Sequence, residues 1–138
     1  MDIERELTLG SLFDGIGGFC YAACLTGRIR PVWAAEIEPN CINITRSHFP
    51  QVMHVGSVTG LKGDEIQPVD IITFGSPCQD LSIAGRRKGL KGSRSGLFME
   101  AVRIIEEMRS ATNGRYPAFI IWENVPGAFS SGGGADFR

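Results

Sequence analysis

Leu7-Thr8-Leu9-Gly10-Ser11-Leu12-Phe13-Asp14-Gly15-Ile16-Gly17-Gly18-Phe19 is the stretch on which the fold turns. Leu7–Phe13 is a short apolar run of strand length. It ends in a glycine-rich turn that opens onto a helical segment, Phe19–Thr26, stopped by Gly27. A strand that feeds a helix through a glycine loop is the opening of a parallel α/β unit. The glycines let backbone approach a ligand closely, and the helix turns its positive N-terminus towards the same place.

The alternation continues outward. Pro31–Ala35 reads as a second strand closed by Glu36, and Pro39 suits the first turn of a helix running to His48. Val52–Val55 is a weaker strand, and Val69–Phe74 a strong one ending in Gly75-Ser76-Pro77-Cys78. A polar, basic stretch reaches Ser95, and Leu97–Ser110 follows as a helix with Leu97, Ala101, Ile104, Ile105 and Met108 on one stripe. Ala118–Trp122 is a fifth strand, ending in Glu123-Asn124. About five parallel strands with flanking helices are expected, with ligands beyond the carboxyl ends of the strands. Cys20 and Cys24, four apart, are expected on one face as small buried groups.

With 138 residues, 43% hydrophobic and 21% charged, the chain has the size and composition of one globular domain. Its 18 glycines are roughly twice the usual share of about 7%. A net charge of −1 gives no global field that calls for nucleic acid or membrane. The distribution is less even, because Arg86, Arg87, Lys88, Lys91 and Arg94 form a run without an acid. No apolar run approaches the roughly 20 residues that cross a membrane. Met1–Glu6, with three acids, is neither a signal nor a transit peptide, so a cytoplasmic protein is expected. Four cysteines without a CxxC pair favour reduced thiols. His48 and His54 lack closely spaced cysteine partners, so no metal site is expected.

Three motifs carry chemistry. The glycine loop departs from the dinucleotide fingerprint GxGxxG/A, which needs Gly or Ala where Cys20 stands. Glu36, 18 residues after Gly18, is suited to accept both hydroxyls of a ribose, so a nucleoside cofactor is indicated. Cys78, after a proline at a strand end, is a candidate nucleophile, although nothing in the pattern brings a histidine base to it. Glu123, at the end of an apolar strand, is expected to be partly desolvated and equipped to donate a proton.

Together, in order and spacing, these motifs resemble the cytosine-5 DNA methyltransferases, over Leu7 to about Phe129. Phe13-Asp14-Gly15-Ile16-Gly17-Gly18-Phe19 is similar to that family's cofactor loop, Pro77-Cys78-Gln79 to its nucleophile motif and Glu123-Asn124-Val125 to its acid motif. The resemblance implies a Rossmann-like S-adenosylmethionine-dependent methyltransferase fold. It implies cofactor contacts from Phe13 to Gly18 and from Glu36, Ile37, Ser57, Val58, Pro77 and Leu97. It also implies catalytic work by Cys78 and Glu123, supported by Pro77, Gln79 and Asn124. Ser82, Arg86, Arg87, Lys88, Lys91 and Arg94 are similar to a loop that closes over duplex DNA around a flipped cytosine. A prokaryotic or phage-encoded restriction–modification component is implied.

Where the family commonly has Asp after a glycine near the third strand, this chain has Ser57 after Gly56. The family's arginine-bearing motif, target-recognition region and closing cofactor segment are not present by Arg138. Residues 1–138 are therefore expected to be the N-terminal part of a catalytic domain, with little standalone activity. A second polypeptide could supply the rest. The alternatives are an inactive remnant, the cofactor-binding half of a split enzyme, or an RNA (tRNA) cytosine-5 methyltransferase. A nicotinamide oxidoreductase is disfavoured by Cys20.

Overall fold

The structure, a computed structural model, describes residues 5–75 and 96–124. The element order is β1 (Leu7–Leu12), α1 (Gly18–Leu25), β2 (Ile29–Ala35), α2 (Pro39–His48), β3 (Met53–Gly56), β4 (Ile71–Phe74), α3 (Gly96–Ala111) and β5 (Phe119–Trp122). The strands form one sheet in the order β3-β2-β1-β4-β5, and every pairing is parallel. The chain winds outward from β1 in one direction through β2 and β3, then returns to the other side of β1 for β4 and β5. The switch in strand order lies between β1 and β4, where open α/β sheets build their ligand sites.

Burial explains why the central strands read as continuous apolar runs. In β1 Leu9 and Leu12 are buried, and all four residues of β4 are. One face packs Leu12, Trp33, Ile72 and Phe74 against Ile104, Ile105 and Met108 of α3. The other packs Leu9 and Ile71 against Ala23 of α1, and Ala34 with Cys20, Phe49 and Val52. The α3 stripe is buried as its periodicity predicts, at Ala101, Ile104, Ile105 and Met108. Trp33 lies so close to β1 that a Cβ on Gly10 would stand 2.2 Å from its ring. The β1–β2 register shifts at this point, between Leu9 and Gly10.

One expectation is corrected: Cys20 is fully buried, but Cys24 is exposed, because α1 covers the sheet with only one narrow side. Among the described residues the fifth strand forms an edge of the sheet, and Phe119, Ile120 and Ile121 are 60%, 50% and 49% exposed. No helix among the described residues is long and apolar enough to cross a membrane.

Candidate active site

The carboxyl ends of β1, β2, β3 and β4 form a rim. At β1 the chain leaves through Phe13, whose φ of 51° is a left-handed conformation rare for a side chain of this size. The Asp14 N–H donates to the Ala35 carbonyl at 3.0 Å, which extends the β1–β2 ladder by one residue. Gly17 caps α1 with φ 87°, where a Cβ would also press on Thr45 Oγ1 at 3.2 Å.

Side chains from α1, α2 and β2 hold this loop. Asp14 is buried at 6% exposure, and its Oδ2 accepts from Thr45 Oγ1 at 3.1 Å. The Cys20 thiol donates to Oδ1 at 3.5 Å, and burial together with the neighbouring Asp14 pushes that thiol far up. The Glu36 carboxylate accepts from the Gly15 N–H at 2.8 Å through Oε2. Through Oε1 it accepts from Ile37 and Glu38 N–H at 2.8 and 3.0 Å. A carboxylate has about four lone-pair positions, so Glu36 keeps one, on Oε2. The two ribose hydroxyls expected there therefore cannot both be accepted unless a backbone bond is exchanged.

Beside this loop lies a cavity of about 330 Å³ whose walls include Phe13, Glu36, Ile37, Ser57, Val58 and Leu97. These are six of the residues that the sequence nominates for the cofactor. A second cavity, of about 530 Å³, is lined by Asp14, Gly15, Gly18, Phe19, Ile121 and Glu123, among others. Phe13 and Gly75 border both. Gly17 and Ile16 line neither, Gly17 being the cap of α1 and Ile16 being 63% exposed.

Glu123 follows β5, and its N–H donates to the Phe74 carbonyl at 2.9 Å. Its carboxylate lies over Gly75, where a Cβ would stand 2.8 Å from Oε2. The side chain is exposed, so the expected desolvation is not found: among the described residues no outer strand encloses the end of β5. Beneath it Trp122, Phe74 and Phe98 form an aromatic cluster, with Phe98 and Trp122 ring centroids 4.6 Å apart. This cluster joins β4, β5 and the first turn of α3. Asn124 is half-buried beside Glu123. Pro77, Cys78, Gln79, Ser82, Arg86, Arg87, Lys88, Lys91 and Arg94 lie outside the described residues. Among the described residues no cluster of His, Cys, Asp or Glu is suited to a metal.

Two residues at the rim escape the sequence reading. Thr45 reaches the glycine loop from mid-helix, and a lone threonine there carries no pattern. Arg103 stands between Glu100 and Glu107, a spacing that reads as a solvated charge ladder. Besides pairing with both, its guanidinium donates to the carbonyls of Val58 and Leu61, both at 2.9 Å.

A family model for C-5 cytosine-specific DNA methylases matches residues 7–137. A protein of Escherichia phage P1 named DNA N-6-adenine-methyltransferase is 38% identical over 134 residues, 92% of this chain and 18% of its own length. The type II methyltransferase M.Bsp6I of a Bacillus strain is 31% identical over 133 residues, 96% of this chain and 40% of its own. A crystal structure described as a DNA modification methyltransferase encoded within an Escherichia coli prophage superposes with a TM-score of 0.70 at 30% identity, over 91% of this chain and 35% of that one. Dnmt2 of S. pombe, at 24% identity, has the same fold with a TM-score of 0.69, over 92% of this chain and 38% of that one. The chain thus spans less than half the length of each. With its all-parallel, Rossmann-like methyltransferase sheet and a match over nearly its whole length, the chain belongs to the C-5 cytosine-specific DNA methylase family.

Proposed function

We propose that this chain is the cofactor-binding and catalytic part of an enzyme that transfers a methyl group from S-adenosylmethionine to C5 of cytosine in DNA. The observation that carries the reading is the meeting of Glu123 with Gly75, three residues before Cys78, at the rim where the Phe13–Glu36–Val58 cavity opens. That cavity fits a nucleoside: Phe13, Val58 and Leu97 offer an apolar slot for a purine, and Glu36 an acceptor for a sugar hydroxyl. When bound, S-adenosylmethionine supplies a sulfonium-borne methyl group, an electrophile for C5.

The chain's own residues must make C5 reactive, since cytosine C5 is a poor nucleophile. The Cys78 thiolate adds to C6, and the C5=C6 electron pair moves onto C5. Glu123 donates a proton or strong hydrogen bond to N3, so that charge does not accumulate on the ring. The exposed position of Glu123 suits a group that meets its partner only when a base arrives. After methylation the C5 proton is lost and Cys78 departs, which restores the ring. Pro77, Gln79 and Asn124 support the two reacting groups. The target base must leave the duplex to reach them, and Ser82 with Arg86, Arg87, Lys88, Lys91 and Arg94 contacts the phosphates. Target recognition and closure of the cofactor site belong to protein beyond residues 1–138, as a continuation or as a second polypeptide. The setting is the cytoplasm of a prokaryote or of a phage-infected cell.

The phage P1 relative is named for adenine N6, which raises a second chemistry. An exocyclic amine has its own lone pair and needs no thiol. DNA carrying 5-fluorocytosine separates the two, because fluorine at C5 cannot leave as a proton and the thiol adduct persists. The expected outcome is micromolar binding of S-adenosylmethionine by this chain. In the completed enzyme a denaturation-resistant protein–DNA adduct is expected, abolished by Cys78→Ser. Methyl transfer that survives Cys78→Ser overturns the cytosine reading, and absence of cofactor binding favours an inactive remnant. Transfer to tRNA in preference to duplex DNA, in the same assay, assigns the RNA branch.

A further inference from the structure

One wall of the cavity, at Ser57 and Val58, belongs to a loop, Ser57–Gly63, which follows β3 and is part of no strand or helix. Its internal backbone bonds are long, Gly60 N–H to the Ser57 carbonyl at 3.2 Å and Leu61 N–H to the Val58 carbonyl at 3.4 Å, and its one short internal bond joins the Ser57 and Thr59 hydroxyls at 2.9 Å on the exposed side. What holds it comes from α3. Arg103 donates through Nη2 to the Val58 carbonyl and through Nη1 to the Leu61 carbonyl, 45 and 42 residues away in sequence. The Gly63 N–H donates to Glu107 Oε2 at 2.7 Å, and a Cβ on Gly63 would stand 2.0 Å from the Ile104 carbonyl oxygen. The loop is thus laid directly on the helix backbone.

Arg103 is flanked by Glu100 at 2.7 Å and Glu107 at 2.9 Å. Side-chain exposures of 33%, 31% and 33% make these ion pairs partly solvated, and such pairs contribute little to stability. Their effect is to fix the guanidinium plane, so that its remaining donors meet two carbonyls at once. A lysine, with one compact ammonium, cannot span two carbonyls and two carboxylates.

We propose that Arg103 is a positioning residue of the cofactor cavity: by holding the Val58 and Leu61 carbonyls it fixes the Val58 wall on which the purine end of the nucleoside packs. The inference rests on the cofactor reading above and names a residue outside the cavity through which that wall is set. Because the first turn of α3 places Leu97 on the same cavity, the strap sets the distance between two of its walls.

The test uses this chain with S-adenosylhomocysteine as probe, following affinity by calorimetry, backbone hydrogen exchange by mass spectrometry, and thermal unfolding. Arg103→Met is expected to speed exchange across Ser57–Gly63, leave protection around Gly15–Gly18 unchanged and weaken binding by about ten-fold, because the released Val58 wall must be re-ordered on binding. Arg103→Lys restores the melting temperature more than it restores affinity. Glu106→Gln, which removes an exposed carboxylate of the same helix, stays within about two-fold of the unaltered chain. A loss of protection spread evenly over the sheet, an unchanged Ser57–Gly63 segment in Arg103→Met, or an equal loss of affinity in Glu106→Gln overturns the proposal. Absence of probe binding by the unaltered chain overturns the cofactor reading instead, while exchange at Ser57–Gly63 still decides whether Arg103 holds the loop.

Discussion

The Glu36 carboxylate joins the ends of two strands, since one of its oxygens accepts from Gly15 after β1 and the other from the two residues that follow it after β2. Glu36→Gln keeps the shape but replaces one acceptor oxygen with a donor, leaving an N–H facing an N–H. Charge-assisted bonds of this kind are each worth about 1.5–3 kcal/mol. Affinity for S-adenosylmethionine is therefore expected to fall roughly 10- to 100-fold in a calorimetric titration. His54 gives a second residue-scale outcome. Both ring nitrogens are buried without a hydrogen-bond partner among the described residues. Burial and the Arg46 charge hold its pKa below the ordinary value, against a smaller opposing effect of Asp14. The folded state thus binds this proton less readily than the unfolded chain does. Its contribution is complete above about pH 6.5 and declines as the pH falls towards the folded pKa. Urea titrations between pH 7.5 and 5.5 should show stability dropping on acidification, and His54→Leu should flatten that drop. Asp70 acts in a separate, lower window. Burial pushes its pKa up, but the Thr8 N–H and hydroxyl with Arg5 outweigh burial and leave it lowered, so that stability is lost only below about pH 3.9.

Among the elements, the β1–β2 pair is the least forgiving. Gly10→Ala places a methyl group into the indole of Trp33, whose Nε1 is held by the Gln67 carbonyl at 2.9 Å and cannot swing aside freely. Overpacking of this kind costs about 1–3 kcal/mol, occasionally more, and a lowered unfolding midpoint in urea would register it. These same central strands were the most legible from sequence, because strands covered on both faces carry small and apolar residues on both, as in Leu9–Leu12 and Pro31–Ala35. Helix α2 announced itself through Pro39, and α3 through its stripe. What sequence could not convey is partnership between distant segments. Nothing in Thr45 says that it meets Asp14, and nothing in Arg103 says that it reaches the loop after β3. The exposure of Glu123 has the same origin: the apolar run Ala118–Trp122 suggests an enclosed strand end, and only the packing around that end shows it to be open. The six cavity residues were legible through motif resemblance, whereas the bonds that occupy most of Glu36 depend on the exact apposition of two loop backbones.

At the scale of the molecule, β5 brings three exposed apolar side chains together in consecutive positions. Phe119, Ile120 and Ile121 present an apolar edge that monomers ordinarily cover or charge. Phe119→Lys is expected to leave the unfolding midpoint nearly unchanged, since the side chain is 60% exposed, and to slow self-association in light scattering. Unchanged association would direct attention to Tyr21 and Leu25 on α1, 59% and 70% exposed. Both cavities beside the glycine loop lie at one end of the parallel sheet. The amino-terminal end, by contrast, is closed by tight, solvent-facing turns at Thr26–Arg28 and Asn113–Gly114, none of whose residues borders either cavity. Those turns are natural anchorage points: a fluorophore or a surface tether attached there would report on ligand capture from behind, without standing in the doorway.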